Sequence, residues 1–237
     1  MSASEAVTET VILHVKEGIN AADATSEAGS KFIELAKVMK RQDGSGAQYW
    51  GHMVEVPTVF VWNIDWESMS HVHKFIASSD YAPFLALVKE IFDVEQGQLM
   101  LFTNWTSSAA ASFKSKVTEI ALLTLPEGYG ETEKKIIEDA LVSVNHNVQV
   151  VGKATGAAIG FVVGVKPAKN KSTPEGQVIA LHGVYGYDSI DDHIRWKEQP
   201  EHAKAIESLG YVVEKTGLGG AKVAGLDMFH VHFQEGP

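Results

Sequence analysis

The order of predicted elements in this chain occurs twice. Residues 10–105 and residues 118–233 each read as a strand, an amphipathic helix, two strands joined by a short turn, a broken helix and a last strand. In both segments an alternating strand ends in an aromatic residue, an acid and a serine, and this serine, Ser68 or Ser189, can cap the helix that follows. The duplication predicts two units of similar size.

The predicted units have a recognisable architecture. We expect the first over residues 1–112 and the second over residues 113–237, with the segment 107–112, rich in alanine and serine, as a linker. A strand-helix-strand-strand-helix-strand order is ferredoxin-like, and its sheet carries helices on one face only, so the other face needs a cover. The predicted fold class is therefore α+β: two tandem ferredoxin-like (βαββαβ) units that form an intramolecular dimeric α/β barrel.

The composition restricts the partners and the compartment. A chain of 237 residues, of which 45% are hydrophobic, can bury a core. Its formal net charge is -10, so we expect neither nucleic acid nor an anionic membrane surface as a partner. It contains no cysteine, and residues 1–6 lack the pattern of a secretion signal. These features predict a soluble, cytoplasmic protein, in which exposed sheet edges could support a homo-oligomer.

Three windows of the sequence resemble known families. Residues 187–202, YDSIDDHIRWKEQPEH, resemble the serine-to-"HPxH" stretch of the stress-responsive dimeric α/β-barrel proteins, the group that includes olivetolic acid cyclase. Residues 66–84, WESMSHVHKFIASSDYAPF, resemble the antibiotic-biosynthesis-monooxygenase branch of the same superfamily, and residues 230–233, HVHF, resemble its closing strand. The superfamily includes cofactor-free monooxygenases, cyclases, isomerases, decarboxylases, haem-handling enzymes and proteins without known catalysis. The resemblance thus implies a fold more directly than a reaction.

The resemblance implies that His202 is the catalytic general base. It follows Pro200, which interrupts the helix, so its imidazole is expected at a helix start beside the barrel mouth. The alternative is a solvated histidine that caps this helix. In the cyclase a tyrosine partners the histidine, and Trp196 occupies that position here, where we expect it to contact the substrate. The phenol donor would then be Tyr185 or Tyr187.

Histidines on predicted strands are further candidates. His182 and His14 stand singly among apolar neighbours, and an imidazole that projects into a half-wet barrel can bind a substrate oxygen or move a proton. The alternative for each is a satisfied core residue. His230 and His232 share one strand face, but a metal would need a third ligand, so we predict no metal and expect His230 to contact substrate at the barrel end.

In the first half, two residues are candidates for substrate contact. Tyr81 could donate a hydrogen bond to a substrate carbonyl, or it could fill the core with its hydroxyl at the rim. His71 and His73 lie two apart on a helix and cannot face the same way, and we take His73 as the one that looks into the barrel.

These observations predict an enzyme of secondary metabolism that needs no cofactor. A histidine would act as general acid and base in an apolar cavity, nearer the second half, and catalyse cyclisation, isomerisation or elimination of a small apolar or aromatic, polyketide-like substrate. Two alternatives remain at this point: a cofactor-free monooxygenase, and a non-catalytic stress or ligand-binding barrel whose interior is filled by large side chains.

Overall fold

The computed structural model describes residues 6–166, 173–224 and 226–237. Within them the chain separates into two compact units. Unit 1 comprises residues 6–104, 163–166 and 232–237, and unit 2 comprises the other described residues. The predicted division of the chain at residue 112 stays a prediction.

Up to the last strand of the second half, both halves of the chain have the element order that the sequence predicts, with the second helix of each broken in two. The first half contains β1 (Val7–His14), α1 (Glu27–Lys40), β2 (Ser45–His52), β3 (Val59–Trp66), α2 (Met69–Ile76), α3 (Tyr81–Ile91) and β4 (Gln98–Trp105). The second half contains α4 (Ala110–Phe113), β5 (Val117–Pro126), α5 (Glu131–Val150), β6 (Gly156–Lys166), β7 (Gln177–Tyr187), α6 (Ile190–Lys197), α7 (Pro200–Thr216), β8 (Gly219–Gly220), β9 (Met228–Val231) and β10 (Gln234–Glu235).

Unit 1 is an antiparallel sheet with helices on one face. Its strand order is β10-β2-β3-β1-β4, and β1 pairs with β3 from Val7↔Trp66 to His14↔Val59. Alternate residues of β1 and β3 pack with α1, α2 and α3 in one hydrophobic core, because side chains along a strand point to opposite faces in turn. Ser26 starts α1 by accepting a hydrogen bond from the Gly29 amide.

Unit 2 repeats this arrangement around β5. The long strand β5 pairs antiparallel with β7, which in turn pairs with β6, and the short strands β8 and β9 also pair with β5. Helices α5 and α7 pack together, and Ile137 and Val212 are buried in the core beneath them. Helix α7 ends at Gly217, whose φ of 70° is a left-handed conformation that favours glycine.

The end of the chain differs from its prediction. The alternating apolar residues from 223 to 234 predict one strand, but the regular pairing there is confined to β9 and β10. The break arises because Val223 and Leu226 exchange two backbone hydrogen bonds of 2.9 Å, and this turn places Ala224 at a φ of 50°. In the glycine-rich segment just after α7, Gly219–Gly220 forms β8, which pairs with β5.

The segment predicted as a linker is partly helical and partly buried. Its second half belongs to α4, where Ser112 and Phe113 are buried. The Ser112 hydroxyl donates to the Val184 carbonyl at 3.2 Å. Across the described part of the chain, no helix combines the length and the apolar character that a membrane crossing requires.

Candidate functional site

Unit 1 contains a cavity of about 300 Å³. It lies between the helix-bearing face of the sheet and α1, α2 and α3, and β1, β3 and β4 all contribute to its wall. Most of the lining side chains are apolar, and five of them are aromatic: Trp62, Phe75, Tyr81, Phe84 and Phe102. Such a wall suits a flat, apolar molecule, for which the few polar groups present determine orientation.

Glu9 is the acidic group in this wall. The alternation of β1 places its carboxylate on the same face as Val7 and Val11, and only 7% of the residue is exposed. Trp66 lies opposite Val7 in the register of β1 and β3, so its indole Nε1 reaches Glu9 Oε2 and donates a hydrogen bond of 2.9 Å. The sheet thus holds the carboxylate in a fixed position.

Burial makes Glu9 a titratable group near neutral pH. Loss of hydration disfavours the charged carboxylate and raises its pKa from 4.5 to about 7, while the hydrogen bond from Trp66 acts in the opposite direction. At neutral pH both the acid and the carboxylate are therefore well populated, as a group that takes and returns protons requires.

Two of the substrate contacts suggested by the sequence lie in the same wall. Tyr81 begins α3 and packs edge-on against Phe75, with ring centroids 5.4 Å apart. Burial, and to a lesser extent the charge of Glu9, raises the pKa of the Tyr81 phenol, which keeps it protonated as a hydrogen-bond donor. His73 lines the cavity from α2 with an exposed side chain, whereas His14 is half-buried at the end of β1, outside the described lining.

Unit 2 contains a second buried carboxylate, which is paired. Glu119 Oε1 lies 3.3 Å from His193 Nε2, and His193 Nδ1 lies 2.8 Å from His230 Nε2. The side chains of Glu119 and His193 are 6% and 7% exposed, and the His193 ring stacks on Tyr187 with centroids 5.0 Å apart. His230 is thus the half-buried end of a chain of three titratable groups.

Glu9, Glu119 and His193 are not among the site residues predicted from the sequence. A signal was present, because the same tripeptide, Val-Thr-Glu, opens the first strand of each unit at residues 7–9 and 117–119. An acid at the third position of an alternating strand that also places valine on the core face must itself be buried.

His182 and Tyr185, which the sequence placed among the catalytic residues, lie in β7. His182 is completely buried, and its ring lies 4.9 Å from that of Trp105. Burial lowers the pKa of His182 to about 3, so the imidazole is neutral across the physiological range. Burial, and secondarily the charge of Glu119, raises the pKa of Tyr185 far above its usual value. The roles suggested for both residues stay predictions.

His202 and Trp196 contact each other in unit 2. His202 is the third residue of α7, and its half-buried ring meets the Trp196 ring edge-on at 5.3 Å. Burial, and secondarily Lys197, lowers the pKa of His202. This position is compatible with a neutral base, and a catalytic role for His202 stays a prediction. Among the residues that the structure describes, no three acidic or histidine side chains converge in a way that could hold a metal ion.

The two units define an α+β protein with ferredoxin-like units. Solved structures with this fold match the chain over nearly its whole length. An anthrone oxidase-like protein matches with a TM-score of 0.62 and 13% identity, over 99% of this chain and 95% of the other. A candidate monooxygenase from Fusobacterium nucleatum matches with a TM-score of 0.58 and 10% identity, over 100% and 95% of the two chains.

A candidate monooxygenase from Lactobacillus acidophilus matches with a TM-score of 0.55 and 11% identity, over 98% of this chain and 96% of the other. These likenesses confirm the fold class predicted from the sequence. At such low identities they are evidence for the fold and not for a function. No protein-family model matches the sequence, and no curated protein is significantly similar to it.

Proposed function

We propose that this protein is a cofactor-independent enzyme that removes a proton from a small, apolar, aromatic substrate bound in the unit 1 cavity, with Glu9 as the general base. The observation that supports this proposal is a buried carboxyl, with a pKa of about 7, that faces an apolar cavity. Unpaired carboxyl groups of raised pKa in clefts are typical of proton-transfer sites.

The cavity suits proton abstraction from a carbon next to a carbonyl. The carboxylate of Glu9 takes the proton, the carbon–hydrogen bond breaks, and its electron pair moves onto the carbonyl oxygen as an enolate. In this mechanism Tyr81, which stays protonated and lines the same cavity, donates a hydrogen bond to the substrate oxygen. Return of the proton from Glu9 to another carbon gives isomerisation, and attack of the enolate carbon on a second carbonyl gives cyclisation. Expulsion of a leaving group from the adjacent carbon gives elimination.

This proposal moves the base from a histidine to a carboxylate. Glu9 lines the cavity directly, whereas His202 belongs to the other compact unit. A mechanism with His202 as the base is a separate prediction, which the variant His202→Ala tests.

A second candidate is oxygenation of the same carbanion. It is favoured by the full-length fold matches, which are described as an anthrone oxidase-like protein and as candidate monooxygenases. In this reaction dioxygen takes electrons from the substrate anion, one oxygen atom becomes a new carbonyl on the substrate, and the other leaves as water. A methylene group that loses two hydrogens supplies all the electrons, so the balance needs no separate reductant.

Anthrone is a suitable probe, because it is flat, apolar and carries a methylene group activated by a carbonyl. We expect the wild-type protein to accelerate exchange of the methylene protons in deuterated buffer without oxygen, measured by proton NMR, with a rate that rises through pH 7. Glu9→Gln should lose this acceleration. The matched control is Glu17→Gln, which removes an exposed carboxylate from the same unit.

An oxygen electrode separates the two candidate reactions. Consumption of one dioxygen per anthrone, with anthraquinone as the product, supports oxygenation, whereas exchange without oxygen uptake supports proton transfer alone. Equal exchange rates for Glu9→Gln and the wild type, or no acceleration by either protein, would contradict the proposal.

A further inference from the structure

Glu9 and Glu119 occupy equivalent positions in their units. Each is the third residue of the Val-Thr-Glu tripeptide in the first strand. In unit 1 the valine of this tripeptide pairs with Trp66, and in unit 2 it pairs with Tyr187, which is the aromatic residue at the end of the corresponding strand. The same strand register therefore presents a carboxylate to the helix-bearing face of both sheets.

The helix that covers this position differs at one buried residue. Helices α2 and α6 follow the N-cap residues Ser68 and Ser189. The fourth residue after the serine is Val72 in unit 1 and His193 in unit 2, and both are buried. The seventh residue is a buried aromatic in both helices. Around the carboxylate, a valine in one unit thus corresponds to an imidazole in the other.

The difference between Val72 and His193 has opposite consequences for the carboxylates of the two units. Val72 lines the same unit 1 cavity as Glu9, and its apolar side chain can form no hydrogen bond to the carboxylate. The imidazole of His193 lies against Glu119 with its Nε2 at 3.3 Å, stacks on Tyr187 and contacts His230 through Nδ1 at 2.8 Å.

We propose that unit 2 contains a second copy of the Glu9 site in which the imidazole of His193 takes the place of the ligand. The residue four positions after the N-cap serine then determines which carboxylate is available to a substrate. This inference rests on the proposed function, since it treats the unit 1 cavity as a ligand site. It also describes the ligand that unit 1 would accept: a planar ring that presents an ionisable hydrogen to the carboxylate, as the imidazole does in unit 2.

Removal of the imidazole should create a site for a free imidazole. In His193→Ala, we expect 4-methylimidazole to raise the melting temperature in a concentration-dependent way, because a ligand that binds only the folded state stabilises it. The matched control is His146→Ala, which removes an exposed histidine from α5 of the same unit and should show no such dependence. Equal responses of the two variants would overturn the inference.

The reciprocal substitution remains informative if His193→Ala does not fold. In Val72→His, the new imidazole should pair with Glu9 and lower the midpoint of its titration by about 1–3 pH units, the range that an adjacent opposite charge produces. Carbon-13 NMR of labelled glutamate carboxyls gives this midpoint, with Glu9→Gln to assign the signal. A midpoint that stays near 7 would also overturn the inference.

The two proposals fail separately. If Glu9→Gln exchanged the methylene protons of anthrone as fast as the wild type does, the proposed reaction would be wrong. The measurements on His193→Ala and Val72→His would still test whether His193 takes the place of a ligand in unit 2. An unchanged Glu9 midpoint in Val72→His would remove the idea of an internal ligand and leave the proposed reaction intact.

Discussion

Replacement of Glu9 by glutamine should change how the stability of the protein depends on pH. The pKa of Glu9 is about 7 in the folded state and 4.5 as the ordinary value, so the folded protein binds this proton more tightly than the unfolded chain does. The contribution of Glu9 to the free energy of unfolding is therefore highest below pH 4.5. It falls as the pH rises towards 7 and is constant above that. The difference in pKa corresponds to about 3 kcal/mol at pH 8.

Glu9→Gln removes this dependence, because the amide has nearly the same shape and no charge. Its oxygen can still accept the hydrogen bond from Trp66. We expect the variant to be more stable than the wild type by about 2–3 kcal/mol at pH 8, and this gain should fall to about 1 kcal/mol at pH 5. For a chain of this length the gain at pH 8 corresponds to about 4–12 °C in melting temperature.

Thermal unfolding from pH 5 to pH 8, followed by circular dichroism, measures this difference directly. The other titratable groups are common to both proteins, so the difference between the two curves isolates Glu9. Glu17→Gln should follow the wild type throughout. Curves for Glu9→Gln and wild type that run parallel over this range would show that Glu9 is not held in a desolvated site.

Three further predictions concern other positions. His182 has its pKa lowered to about 3 by burial, so its contribution is fully present above pH 6.5 and is lost as the pH falls from 6.5 towards 3; His182→Phe should therefore keep more of its stability at pH 4 than the wild type does, as measured by urea unfolding. Gly44→Ala should destabilise the protein by about 1–3 kcal/mol in urea unfolding, because φ is 76° at Gly44 and a Cβ there would overlap the His71 ring. If His202 is the base that the family resemblance implies, His202→Ala should abolish turnover with little change in melting temperature; full activity in the variant would exclude that role.

The fold could be predicted from the sequence because its signals are local. The alternation in β3 and β7, the serines before α2 and α6, and the helical spacing of α1 all depend on near neighbours in the chain. Local signals do not predict the structure at the end of the chain, over residues 223–234. Apolar residues from 223 onward read as one strand, and only the two-way hydrogen bonding between Val223 and Leu226 shows that the chain turns there.

The candidate site could be predicted only in part, since it depends on contacts between distant residues. Tyr81 and His73 were identified from a short motif, and both line the cavity. The orientation of the Glu9 carboxylate depends on its hydrogen bond to Trp66, which lies 57 positions further along the chain. No local pattern specifies that pair, although the repeated Val-Thr-Glu tripeptide marks the position.

The contrast between the two carboxylates supports a functional reason for keeping Glu9. An uncharged residue at this position would avoid the destabilisation at pH 8, and unit 2 shows that a neighbouring imidazole can accompany such a carboxylate. In unit 1 the corresponding residue is Val72, which cannot pair with the acid, and the hydrogen bond from Trp66 orients Glu9 without removing its raised pKa. Proteins retain destabilising groups of this kind mainly where they act on a ligand, because activity and stability make opposite demands on such a site.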